Sequence, residues 1–145
     1  MKSRKIIAIV FIALALVLGA IFLLQIEFPS GLEAYFKSAY YNQFGPLAIS
    51  IELLIAGVYL LIGHSKANFA LAIFGFTAIL DPFFDLINLF SSAVPAYATI
   101  LLLACAILSL WLAFSNPYKL ERISFAGALF SFILGNAVEL FFNYL

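Results

Sequence analysis

Five apolar runs, each long enough to cross a bilayer, constrain this chain more than any other feature. The first, residues 6–24, holds nineteen residues without a charge. The others fall at about 46–63, 67–90, 96–114 and 123–144. A spanning helix needs about 20 residues, in a range of about 17–25. Segments in lipid must satisfy their backbone groups internally, so all five are expected to be helices. Composition agrees: 66% of the 145 residues are hydrophobic and 10% are charged. A soluble domain is about 45–50% apolar and about 25% charged. Such a chain cannot hide its apolar surface from water, and it lacks the basic face of a nucleic-acid binder. The expected fold is an all-α, polytopic membrane bundle over residues 1–145.

Lys2, Arg4 and Lys5 precede the first run, the arrangement of a signal peptide. Its apolar stretch exceeds the usual length of about 7–15 residues, which favours a retained anchor. With the N-terminus in the cytoplasm, Lys2, Arg4, Lys5, Lys66, Lys119 and Arg122 lie inside and only Lys37 lies outside. This satisfies the positive-inside rule and places the C-terminus outside, in a multi-pass protein of the plasma membrane. The acids are skewed the other way: Glu27, Glu33, Glu52, Asp81, Asp85 and Glu139 fall toward the outer side, and only Glu121 inside.

Between the first two spans, Ser30 and Glu33 have capping-box spacing. Residues 31–41 read as a short amphipathic helix on the membrane surface, with Leu32, Tyr35, Phe36 and Tyr40 toward lipid. Glu33 and Lys37 face water there, four residues apart. Tyr35, Tyr40, Tyr41, Tyr97 and Tyr144 near one boundary, and Trp111 near the other, fit interfacial belts.

The acids inside the spans carry the functional expectation. At 1.5 Å per residue, Glu52 lies about 9 Å from the outer end of its span, Glu139 about 8 Å and Asp81 about 13 Å, with Asp85 one turn above Asp81. Acids at such depths are costly and should face the bundle interior. Stripes would point them there. Gly127, Ser131, Gly135, Glu139 and Asn143 recur every fourth residue; Thr77, Asp81, Asp85 and Asn88 share a face; so do Ala48, Glu52, Ala56 and Tyr59. Small residues at that spacing allow close helix approach. The expected binding site is thus an outer acidic pocket of Glu52, Asp81, Asp85, Asn88, Glu139 and Asn143. Close carboxyls cannot all stay ionised.

Pro82 leaves the carbonyl of Ala78 without its helical donor, so a kink is expected in the third span. Broken helices in transporters use such carbonyls to hold cations. The structural alternative makes Asp81 the N-cap of a short outer helix starting at Pro82. His64, the single histidine, ends the second span and is expected as a cation at a helix C-terminus. One Cys and one His exclude an intrachain disulfide and a multi-histidine metal site. No catalytic residue and no metal site are assigned, and the cofactor is unknown.

Residues 31–79 resemble the DoxX/DoxD-like membrane family. The likeness lies in G-L-E-A-Y-F-K-S-A from Gly31, in G-P-L-A-I-S-I-E-L-L-I-A-G-V-Y-L-L-I-G from Gly45 to Gly63, and in F-A-L-A-I-F-G-F from Phe69. The matching positions are Glu52, Leu53, Ala56, Gly57, Leu60, Leu61 and Gly63, with the glycine five residues after Glu52. The resemblance covers about residues 1–122 and implies a compact four-helix bundle that is tied to quinone- or thiol-linked redox chemistry or serves as a small subunit beside an enzyme. A fifth span carrying Glu139 departs from it. Three functions stay open: a non-catalytic subunit or binding module of a membrane complex, a proton- or cation-coupled transporter, and a quinone-linked redox subunit. The expected partners are the lipid bilayer and either another membrane subunit or a second copy of the chain.

Overall fold

The computed structural model describes residues 2–28, 30–36, 40, 43–89 and 94–143, with Lys2, Ala34 and Asn143 as backbone only. Among these residues there are five helices long and apolar enough to cross a membrane, and no strand. They are α1 (Lys2–Leu24), α2 (Phe44–Ile62), α3 (Ala67–Leu86), α4 (Ala96–Ser115) and α5 (Phe125–Asn143). Lys37, Tyr41, Phe90 and Tyr144, to which the sequence assigns positions, lie outside the described residues, as does the side chain of Asn143.

The helix ends follow local chemistry. Gly63 takes a left-handed conformation (φ 68°) after α2; its N–H donates to Leu60 O and that of His64 to Tyr59 O. This is the Schellman pattern, and glycine accepts it without a Cβ clash. Asn88 stops α3 in the same way, at φ 65°, with its own N–H on Asp85 O and that of Leu89 on Phe84 O. Asn116 (φ 53°) ends α4, its N–H donating to Leu112 O. Asparagine is the residue other than glycine that most readily enters this region.

Two expectations change here. Helix α3 runs unbroken through Asp81 and Pro82, so Asp81 does not cap a separate outer helix. Proline five residues from a helix end removes a single internal hydrogen bond, and packing on both sides holds the helix together. Over residues 31–41, where a short amphipathic helix is expected, the described backbone forms only a 3-10 helix, Leu32–Phe36. This connection is tied at its flanks. The Gln43 side chain accepts from Glu27 N–H (2.7 Å) and donates to Glu27 O (2.8 Å), pairing with it as another strand would. Tyr40 stacks edge-on to both Tyr35 and Phe44, with ring centroids 5.0 and 5.1 Å apart.

Helix α3 is the centre of the bundle. It packs along α2, α4 and α5, while α1 lies along α2 and α5 touches α2 only lightly. The core is apolar and close-packed, with Phe11, Ile49, Leu53, Leu60, Leu71, Phe74 and Leu112 fully enclosed. The outward surface is apolar as well: Ile9, Val17, Ile100, Ile107 and Ile133 are all more than half exposed. Such a surface is stable against hydrocarbon and not against water.

The two ends of the bundle differ in charge. The start of α1, the α2–α3 turn and the α4–α5 connector carry Arg4, Lys5, Lys66, Lys119 and Arg122 and form a basic end. Hydrogen bonds knit it together. The buried Asn68 side chain donates to Asn116 Oδ1 (2.9 Å) and Glu121 O (3.0 Å), and Asn116 Nδ2 donates to Leu120 O (2.7 Å). Lys66 and Glu121 form an exposed ion pair at 2.9 Å. His64, at the end of α2 as expected, takes the N–H of Lys66 on its Nδ1 (2.9 Å), and its ring stacks on Tyr59.

Candidate functional site

Polar side chains from α2, α3 and α5 meet inside the bundle. Thr77 and Asp81 stand four residues apart on α3, a rise of about 6 Å and nearly one turn. Both are buried, Asp81 at 3% exposure. Gly135 and Glu139 have the same spacing on α5, and the two helices run in the same direction. The pairs therefore match level for level. A Cβ on Gly135 would lie 3.1 Å from the backbone N of Thr77 and 3.2 Å from Phe76 Cβ, so only glycine lets α5 lie this close. One turn on, the Glu139 side chain, 1% exposed, is hydrogen-bonded to that of Asp81.

Helix α2 adds the third acid. The Glu52 side chain hydrogen-bonds with the Thr77 hydroxyl, and its Oε2 is buried with no hydrogen-bond partner. Thr77 Oγ1 also donates to Ile73 O (2.8 Å). A hydroxyl has one proton and two lone pairs. It donates to Ile73 when Glu52 supplies the proton of their shared bond, and it can turn to donate to Glu52 when that carboxyl is ionised.

The cluster has two steps where the sequence suggested one level. Glu52 lies eight residues into α2, about 12 Å from its end, with Thr77 beside it. Asp81 and Glu139 lie five and four residues from the ends of α3 and α5, about 8 and 6 Å. The shift arises because α2 starts two residues earlier, and α3 and α5 stop sooner, than the apolar runs do.

Of the six residues expected in the pocket, the structure brings Glu52, Asp81 and Glu139 together. Asp85 and Asn88 stand apart and exposed. Four residues turn a helix by 400°, so Asp85 drifts about 40° from Asp81, enough near the open end of α3 to leave the interface. Asn88 lies past the helix and serves as its stop. The side chain of Asn143 is not described. Thr77 belongs with the acids although it stood outside the expected set; its signal was its place four residues before Asp81.

A hydrogen bond between two carboxyl groups needs a proton on one of them. Asp81 and Glu139 are placed so that they could share one proton, with Glu52 and Thr77 one turn away. Among the described residues no group of three or more His, Cys, Asp and Glu side chains is arranged to hold a metal ion. Comparison of the chain with known protein families, with curated proteins and with solved structures gives no match in any of the three.

Proposed function

We propose that this chain is a small, non-catalytic, multi-pass membrane protein: a binding module whose buried carboxyls take up and release protons. The hydrogen bond between Asp81 and Glu139 carries this reading. Carboxyls inside a bundle cost stability that apolar residues of similar size would not, so their retention is best explained by use.

In this reading the N-terminus and the basic end face the cytoplasm, and the C-terminus faces outward. The 3-10 turn Leu32–Phe36, with Leu32 and Phe36 exposed, then rests in the outer interface. Helix α3 presents Thr77, Asp81 and Asp85 in steps of about 6 Å, from the middle of the bundle to its outer rim. That series favours passage of protons over storage alone, and a coupled transporter is the second reading. If the module serves a larger complex, the DoxX/DoxD-like resemblance of residues 31–79 points to a redox partner.

Proteoliposomes test the proposal. With a membrane potential imposed, vesicles holding the parent chain should acidify faster than empty ones, and Glu139→Gln should lower the rate at least tenfold. A hydrophobic carbodiimide, which attacks protonated carboxyls, should modify Glu139 or Asp81 in the parent. A module that only stores protons gives modification without flux. Neither modification nor flux would end the proposal.

A further inference from the structure

At the basic end, α5 leans on α3 and leaves α2, and the gap between them is an open cavity of about 590 Å³. This is within the usual range for small-ligand sites, about 300–1,000 Å³. Its walls are apolar, formed by Ile55, Tyr59, Phe69 and Ile73, and its mouth carries Lys66 and Arg122. Ile73 lies six residues into α3, so the cavity reaches about 9 Å along the helix.

The mouth is built for negative charge. Its lining holds two bases, Lys66 and Arg122, against one acid, Glu121, a net charge of +1. Glu121 is engaged with Lys66 at 2.9 Å, and Arg122 has no ion pair among the described residues. Helices α3 and α5 both begin here, and helix N-termini carry partial positive charge. Ser124 also lines the mouth, its hydroxyl accepting the N–H of Gly127 at 3.0 Å.

An apolar slot beneath a cationic mouth matches one kind of occupant, an amphiphile with an anionic head. We infer that this groove binds one anionic phospholipid. Its phosphate lies against Arg122 and Lys66, and one acyl chain fills the slot between α2 and α5. Basic pockets between membrane helices hold anionic head groups by this combination of charge and hydrocarbon contact. The inference does not depend on the proton-binding proposal, since its residues lie on the other side of Ile55 and Ile73 from the carboxyls.

The experiment reconstitutes the full chain with phosphatidylglycerol or phosphatidylcholine and extracts it in mild detergent. Native mass spectrometry then counts the lipid retained per chain. The expected result is one phosphatidylglycerol per chain and no phosphatidylcholine. Arg122→Gln, at an exposed position, should weaken retention roughly fivefold. Ala70→Phe should abolish it by filling the slot with all charges intact, and circular dichroism should show both variants folded. Equal retention of the two lipids would overturn the inference. So would unaltered retention in Arg122→Gln, displacement of the lipid by inorganic phosphate, or a lipid-free dimer filling the groove with a second copy.

Discussion

Single residues fix how α3 packs against its neighbours. Asn68 is 2% exposed, and its amide spans Asn116 and the Glu121 carbonyl. Asn68→Leu keeps the volume and removes both bonds, leaving two part-buried acceptors without their donor. It should lower stability by about 1–3 kcal/mol, read as thermal unfolding in detergent. Gly135 is the second such residue. A valine there would press on the Thr77 backbone, which cannot move aside as a flexible side chain can. Gly135→Val should cost about 1–3 kcal/mol and also reduce carbodiimide modification of Glu139, because α5 is pushed off α3. Loss of stability with full modification would show that the close approach does not serve the carboxyl pair.

At the scale of the helix, the apolar runs made the number of elements and most of their bounds legible from sequence. Apolar stretches of this length can hardly do anything else in lipid. The ends were less legible where a polar residue decided them. Asn88 reads as a ligand on the face of Asp81, yet its capacity for positive φ made it the stop of α3. Pro82 reads as a break, and the helix continues through it. That continuity yields a prediction. Pro82→Ala restores an N–H for the Ala78 carbonyl within a continuous helix. It should raise stability, by up to about 3 kcal/mol, and slow amide exchange over residues 79–86. A drop in stability would mean that the fold depends on the proline.

In the whole molecule, the pairing of helices was only partly visible beforehand. The fourfold stripes pointed Glu52, Asp81 and Glu139 inward, and these three do meet, because Thr77–Asp81 and Gly135–Glu139 share a spacing on helices that run the same way. Asp85 had the same spacing and left the cluster, since a 3.6-residue period carries each fourth residue further around. The groove at the basic end had no sequence signal. A gap between α2 and α5 depends on how α5 leans, which no residue pattern in either helix encodes.

The account rests on a proton held between carboxyls of α3 and α5. Infrared difference spectroscopy in bilayers observes it directly, through the C=O stretch of a protonated carboxyl. The parent chain should show that band at neutral pH. The Asp81→Asn/Glu139→Gln double variant should lose most of it while its helical amide bands stay unchanged. A parent without the band, or a double variant that keeps it at full strength, would contradict the account.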